Sequence, residues 1–209
     1  MKRVGILGGT FNPVHIGHLA IAQTAADKMD LEKVIFVPCN IPPHKNPGHV
    51  ASARDRYNMV RLAIKGNALF ALSDFEIKKP GTSYTIDTLR YFQGIYRSDA
   101  KLFFVIGGDT LTQLKKWRFI GDVLKIATFI VVNRPGRFRK TSNIPHCSVS
   151  MPGIDISSSY VRQCIVQGRT IKYFVPENVS GYIQKKKLYQ NEPPRERVGW
   201  PDKEKSRDG

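Results

Sequence analysis

Apolar runs of strand length alternate with helical periodicity along almost the whole chain of 209 residues, and this alternation constrains the fold most strongly. Strands are predicted at residues 3–8, 33–38, 69–75, 102–106 and 128–132. Helices are predicted at residues 17–29, 54–65, 83–96 (with Ser83 as N-cap), 157–167 and 178–187. Strands that alternate with helices pair in parallel. We therefore predict an α/β fold with a doubly wound, Rossmann-like parallel sheet and helices on both faces.

Composition favours one globular domain followed by a tail. The chain is 41% hydrophobic, which is enough to bury a sizeable core. We expect this single domain to cover residues 1–189. Residues 190–209 are dominated by Pro, Glu, Arg, Lys and Asp, so we expect a basic, disordered C-terminal tail.

The net charge of +16 predicts an anionic partner without naming it. A nucleic-acid surface and a pocket for nucleotide phosphates are equally compatible with it.

Three widely spaced cysteines, Cys39, Cys147 and Cys164, argue against a disulfide framework and favour the reducing cytoplasm. No apolar run has the length needed to span a bilayer, so no membrane partner is expected.

Glycines follow two of the predicted strands. Gly8 and Gly9 follow the first strand, and Gly107, Gly108 and Asp109 follow the strand at residues 102–106. In a doubly wound sheet these two strands would be neighbours, and ligands bind beyond their carboxyl ends. Neither the dinucleotide pattern G-x-G-x-x-G nor a P-loop is present.

Two histidines open the first predicted helix. His15 and His18 would share one face of its first turn if the helix begins near Val14. A helix N-terminus offers unpaired N–H groups and partial positive charge, which suits a phosphate. Zinc is a weaker alternative because no third ligand has a recognisable spacing. For two isolated histidines, ordinary packing or exposure would be the better interpretation.

A second candidate anion site lies at residues 155–162. Ser157 can cap the predicted helix, while Ser158, the free N–H groups and Arg162 can surround a phosphate. Simple capping is the alternative for a serine-rich helix start taken alone. Two such sites in one α/β domain favour a ligand with charge at both ends, such as a nucleoside triphosphate.

The two segments carry a family resemblance. His15-Ile-Gly-His18 and Ile156-Ser-Ser-Ser159 with Arg162 resemble the H-x-G-H and I-S-S-T-x-x-R motifs of the nucleotidyltransferase superfamily. Within it, residues 1 to about 189 resemble bacterial nicotinate-nucleotide adenylyltransferases. The additional matching segments are residues 8–13, 38–45, 81–89 and 106–109, and Trp117.

The resemblance implies that ATP and nicotinate mononucleotide, with Mg²⁺ carried on the ATP phosphates, give nicotinate adenine dinucleotide and pyrophosphate in NAD biosynthesis. It implies direct attack of the mononucleotide phosphate on the α-phosphorus, with His15 and His18 as catalytic residues. The ATP-binding residues that it implies are Gly8, Gly9, Thr10, Phe11, Gly107, Asp109, Arg134, Ser157, Ser158 and Arg162. No protein side chain is assigned to the metal.

For the acceptor, the resemblance assigns His44, Lys45, Tyr84, Thr85 and Trp117. Trp117 would offer a flat face to the pyridine ring, and the Tyr84 and Thr85 N–H groups would take its carboxylate. Taken singly, Trp117 would more often belong to the core. Asn12 stands where the family often has Asp, which puts a charged role in doubt, whereas hydrogen bonding to the loop stays open.

Three rival interpretations stay open to different degrees. Aminoacyl-tRNA synthetases share the H-x-G-H motif, but the K-M-S-K-S loop and an anticodon domain are missing from this sequence. Phosphopantetheine adenylyltransferase shares both phosphate motifs but lacks the S-Y-T and P-P-H-K segments. A non-catalytic nucleic-acid-binding protein would explain Lys185 to Lys187, although we expect no nucleic-acid partner. The sequence does not fix the oligomeric state, and a homo-oligomer remains open.

Overall fold

The structure is a computed structural model that describes residues 1–41, 50–134 and 143–190. Its strands are β1 (Lys2–Gly9), β2 (Lys33–Pro38), β3 (Phe70–Leu72), β4 (Ala100–Gly107), β5 (Ala127–Asn133) and β6 (His146–Ser150). Its helices are α1 (Ile16–Lys28), α2 (Ala53–Ala63), α3 (Phe75–Lys78), α4 (Thr85–Tyr96), α5 (Gly108–Leu111), α6 (Ile120–Ile126), α7 (Ser158–Val166) and α8 (Glu177–Lys185).

The six strands form one sheet in the order β3-β2-β1-β4-β5-β6, and every neighbouring pair is parallel. β1 and β4 lie side by side, with Val4 opposite Leu102 and Ile6 opposite Phe104. The chain builds outward from β1 in one direction and from β4 in the other. This order confirms the doubly wound, Rossmann-like fold and places the reversal of strand order between the two glycine-ended strands.

Side chains alternate between the two faces of the sheet, because successive residues of a strand point to opposite sides. In β1, Ile6 packs into one core and Leu7 into the other. The core containing Leu7 is covered by α1, α2, α7 and α8, and the core containing Ile6 by α4 and α6. Both faces of the sheet are buried, which explains why its central strands are continuously apolar.

Several predicted elements differ from the observed ones. The N-cap of α4 is Tyr84, so the prediction of Ser83 as the cap was wrong. The strand predicted at residues 69–75 is reduced to Phe70–Leu72, because Phe75 already begins α3. β6 and α6 were not predicted. β6 lies at the sheet edge and has only one buried residue, so it lacks the apolar run that marks the central strands.

Some sequence-based expectations concern residues outside the described ranges. His44 and Lys45 fall there, as do residues 191–209 of the expected tail. Within the described ranges, no helix combines the length and the apolar character needed to cross a membrane.

Candidate active site

The loops that follow β1 and β4 leave the sheet side by side, because the two strands are parallel neighbours. Gly8 and Gly9 end β1, whereas Gly107 ends β4 and is the N-cap of the short helix α5. A Cβ atom on Gly9 would lie 3.0 Å from the Phe11 ring, so a side chain there would push this ring away. Asp109 is exposed in the first turn of α5. The structure thus brings two predicted ATP-binding segments to the point where the strand order reverses.

His15 and His18 stand together at the start of α1, where His15 is the N-cap and His18 occupies the third helical position. Their ring centres are 3.8 Å apart. The His15 backbone N–H donates to Nδ1 of His18 at 3.2 Å. Because Nδ1 of His18 is an acceptor, the neutral ring carries its proton on Nε2. The edge of the Phe11 ring packs on His18 at 5.0 Å, which fixes the orientation of the imidazole.

His15 is neutral at physiological pH. Only 4% of its surface is exposed. Burial, helped by the nearby positive charge of Arg134, lowers the pKa of His15 to about 3. Its Nδ1 has no hydrogen-bond partner among the described residues. A neutral imidazole can still donate one hydrogen bond, so His15 can serve an anion as a donor without carrying charge.

The low pKa of His15 predicts a specific loss of stability in acid. The unfolded chain takes up the proton near pH 6.5 and the folded chain only near pH 3, so the free energy of unfolding falls as the pH drops through this window. Between pH 7 and pH 5 the contribution of His15 is about 2 kcal/mol. When urea unfolding is measured at pH 7 and at pH 5, the free energy of unfolding of a His15→Gln variant should therefore fall by about 2 kcal/mol less than that of the wild type. Equal losses in the two proteins would contradict the buried, neutral state of His15.

Gly17 allows the two predicted anion-binding segments to pack together. A Cβ atom at this position would lie 3.0 Å from the His15 ring and also 3.0 Å from Cγ2 of Ile156. The glycine of the H-x-G-H motif is therefore the point where α1 meets the segment that precedes α7.

The segment before α7 is tied directly to the loop after β1. Ser157 is the N-cap of α7, as predicted, and its hydroxyl accepts a hydrogen bond from the Tyr160 N–H. The Ser158 hydroxyl donates to the Pro13 carbonyl at 2.8 Å, and the buried Arg162 donates to the Asn12 carbonyl at 2.8 Å. The proton of the Ser158 hydroxyl is thus used within the protein. Because the Tyr160 N–H is taken by Ser157, the donors that this helix start can present are the backbone N–H groups of Ser158 and Ser159.

Asn12 holds this loop from the other side. Its side-chain oxygen accepts hydrogen bonds from the Ala51 N–H and from the Tyr189 hydroxyl, both at 3.0 Å. Hydrogen bonding to the loop, which the sequence left open for Asn12, is therefore observed. The contact with Tyr189 joins residues 177 positions apart, and the sequence pattern gave no indication of it.

Arg134 follows β5 and lies near the same residues. Its side chain is only 17% exposed, and its guanidinium lies 3.4 Å from the carboxylate of Asp155. Its charge also contributes to the lowered pKa of His15. Arg134 thus lies close both to His15 and to the segment before α7.

The predicted acceptor residues that fall within the described ranges lie at the start of α4 and between α5 and α6. The Tyr84 N–H donates to Asp87 Oδ2 at 3.2 Å, so it is already engaged. The Trp117 ring is partly buried and packs edge-on against Phe104 and Phe129, at 5.9 and 6.1 Å. Trp117 therefore packs partly into the core, as the alternative interpretation of this residue suggested. Thr85 is the first residue of α4.

Arg56 was not predicted as a functional residue. This arginine of α2 is only 1% exposed. Its guanidinium donates to the carbonyl groups of Ala51, Thr10 and Asn40, at 3.0, 2.8 and 2.7 Å. It therefore joins the loops after β1 and β2 to the start of α2. Only its position on the helix face that also carries the buried Met59 and Val60 could have indicated its burial.

The donor set suits phosphate better than a metal ion. The residues brought together around the loop after β1 are histidines, arginines and backbone N–H groups, whereas Mg²⁺ prefers oxygen ligands such as carboxylates. Within residues 1–41, 50–134 and 143–190, no three His, Cys, Asp or Glu side chains are grouped so that they could hold a metal ion.

The chain is similar to known proteins over most of its length. Residues 6–164 match the family described as Cytidylyltransferase-like. The probable nicotinate-nucleotide adenylyltransferase of Shouchella clausii is 42% identical over 189 residues, which cover 90% of this chain and 97% of the relative. The protein of the same description from Lactiplantibacillus plantarum is also 42% identical, with 90% and 89% covered.

A solved structure shares the fold. The nicotinic acid mononucleotide adenylyltransferase of Plasmodium falciparum, in complex with NaAD, has a TM-score of 0.77 and 21% identity, covering 90% of this chain and 98% of its own. These findings confirm the family resemblance. The chain therefore belongs to the cytidylyltransferase-like family and, within it, to the nicotinate-nucleotide adenylyltransferases.

Proposed function

We propose that this chain transfers the adenylyl group of ATP to nicotinate mononucleotide and releases pyrophosphate, as a step of NAD biosynthesis. The observation that carries the proposal is the pair of 2.8 Å hydrogen bonds from Ser158 and Arg162 to the carbonyls of Pro13 and Asn12. They join the start of α7 to the loop that leads into the H-x-G-H helix. The start of α7 and the His15–His18 pair at the start of α1 then lie at one site, which suits the charge of a triphosphate.

The reaction needs no covalent intermediate on the protein. A phosphate oxygen of the mononucleotide forms a bond to the α-phosphorus of ATP. The bond from that phosphorus to the bridging oxygen breaks, and its electron pair leaves with pyrophosphate. Such transfers depend on positioning and on stabilising charge at the phosphorus and the leaving group.

We assign the largest share of this stabilisation to His18. Its Nδ1 is held by the His15 backbone N–H, so its Nε2–H is oriented as a hydrogen-bond donor. His15 would add a neutral donor, and Arg134 would add positive charge beside it. The nucleotide would be lined by the end of β1 and the loop after it, at Gly8, Gly9, Thr10 and Phe11. Its adenosine side would be lined by Gly107 and Asp109.

The other assignments are also part of the proposal. Trp117 would face the nicotinate ring, Tyr84 and Thr85 would lie at its carboxylate, and His44 and Lys45 would bind the phosphate of the mononucleotide. Mg²⁺ would be carried on the ATP phosphates, where it would neutralise charge. We further propose one domain at residues 1–189, a separate tail, and a reducing compartment such as the cytoplasm. The three free cysteines support this last assignment.

The decisive assay measures pyrophosphate release from ATP with four parallel acceptors: nicotinate mononucleotide, nicotinamide mononucleotide, phosphopantetheine and none. We expect the highest kcat/KM with nicotinate mononucleotide. Preferential use of phosphopantetheine would show that phosphopantetheine, and not nicotinate mononucleotide, is the acceptor. Salt-dependent nucleic-acid binding without pyrophosphate release from any acceptor would reject the enzyme function altogether.

A further inference from the structure

We infer that Arg118 is a specificity-determining residue that pairs with the carboxylate on the pyridine ring of the acceptor. It would thereby favour an anionic pyridine mononucleotide over its neutral amide. This inference deepens the proposed function and rests on it. None of the acceptor contacts inferred from the sequence includes this side chain.

Arg118 is oriented by the aromatic ring at the start of α4. One guanidinium nitrogen donates to the Tyr84 hydroxyl at 2.7 Å. The guanidinium carbon lies 4.8 Å from the centre of the Tyr84 ring and 5.6 Å from that of Phe119. A guanidinium that stacks on a ring and donates to its hydroxyl group has a defined direction, although the residue is exposed.

This cluster is linked to the active-site end of the sheet. Arg118 directly follows Trp117, whose ring packs on Phe104. The Phe104 ring in turn lies 3.3 Å from the position of a Cβ atom on Gly8. A pyridine ring on the face of Trp117 would then lie next in the chain to Arg118, whose side chain is held by Tyr84 at the start of α4.

The local charges explain why an acceptor carboxylate needs this arginine. Asp87 accepts the Tyr84 N–H, so a carboxylate near Tyr84 and Thr85 would meet another carboxylate. The positive charge of Lys79 is already paired with Asp87 at 3.0 Å. Among the ion pairs of the described residues, none involves Arg118. A guanidinium has five N–H donors, and only one of them is used by the Tyr84 hydroxyl.

The acceptor's carboxylate fits these remaining donors better than an amide does. A guanidinium can bind a carboxylate through two parallel charge-assisted hydrogen bonds, whereas an amide offers one acceptor oxygen and no charge. Because Arg118 is exposed, the gain is moderate, and we expect a preference of about tenfold from this contact.

The test compares Arg118→Gln with the wild type and with Arg61→Gln, a control that removes the same charge from an exposed position on α2. KM and kcat are measured for nicotinate and nicotinamide mononucleotides at saturating ATP. We expect Arg118→Gln to raise KM for the nicotinate form about tenfold and to leave kcat, KM for ATP and KM for the amide form nearly unchanged. Arg118→Lys should recover part of the effect, and Tyr84→Phe should cause a smaller loss.

The outcomes separate the inference from the function on which it rests. If the wild type turns over nicotinate mononucleotide and the folded Arg118→Gln enzyme keeps the wild-type ratio of kcat/KM for the two acceptors, the inference alone is overturned. If the wild type releases pyrophosphate only with a different class of acceptor, both the inference and the proposed function are overturned. An equal loss in Arg61→Gln would assign the effect to overall charge and would also overturn the inference.

Discussion

Replacing His18 with alanine is expected to lower kcat about a hundredfold or more, with little change in the fold or in ATP binding. The side chain is held from both sides, by the His15 N–H on Nδ1 and by the edge of the Phe11 ring. In the role proposed for His18, its Nε2–H would meet the developing charge without reorganisation, so its contribution should be larger in the transition state than in the bound ground state. Steady-state kinetics and ATP titration of the variant test this.

Two further variants separate the roles of the two ring nitrogens. Asparagine can place an acceptor near the position of Nδ1, whereas glutamine can place an amide N–H near that of Nε2. If donation from Nε2 carries catalysis, His18→Gln should retain more kcat than His18→Asn. If His18 acted mainly by capping α1, His18→Asn would retain more activity, and its melting temperature would be closer to that of the wild type. Near-normal kcat in a folded His18→Ala enzyme would rule out the proposed role.

Replacing Arg56 with methionine is expected to lower the free energy of unfolding by about 3–5 kcal/mol. Methionine fills much of the same space but leaves three carbonyl groups, of Ala51, Thr10 and Asn40, without their donor. These three hydrogen bonds are partly buried, and a buried carbonyl that loses its partner costs about 1–3 kcal/mol. Urea unfolding gives the difference directly, and the affinity for ATP reports whether the loop after β1 is still in place.

Arg61→Met on the same helix is the matched control, because Arg61 is exposed. We expect it to change stability by no more than about 0.5 kcal/mol. Arg56→Lys keeps the charge but cannot reach three separate carbonyls at once, so it should lie between the wild type and methionine. If Arg56→Met cost as little as Arg61→Met, the three hydrogen bonds would contribute nothing measurable to stability.

Local pattern was sufficient for the parts of the fold that are apolar and central. The strands at β1, β2, β4 and β5 were predicted because both faces of the sheet bury them, which produces continuous apolar runs. β6 was not predicted, because a sheet-edge strand with one buried residue does not differ in composition from a loop. α6 has seven residues, too few for helical periodicity to be recognised.

The residues of the candidate site also fall into those that local sequence predicted and those that it did not. His15, His18 and Ser157 are positioned within a few residues of their partners, so their spacing predicted their helix-start positions. Arg56 reaches Thr10 across 46 residues, and a basic residue in a helical segment is normally solvated, so its place on the helix face of Met59 and Val60 was the one local indication of its burial. The Ser158 hydroxyl differs from these residues. Its motif suggested a phosphate donor, but in the structure, where α7 packs on the loop after β1, it donates a hydrogen bond to the Pro13 carbonyl.

The contact between Asn12 and Tyr189 has a consequence for the order in which the protein matures on the ribosome. Asn12 is synthesised among the first residues, and Tyr189, whose hydroxyl donates a hydrogen bond to it, comes 177 residues later. A nascent chain can pair its strands before then, but the loop after β1 lacks this hydrogen bond until translation has passed α8. Full assembly of the loop is therefore a late event in synthesis, although the loop itself is encoded at the beginning.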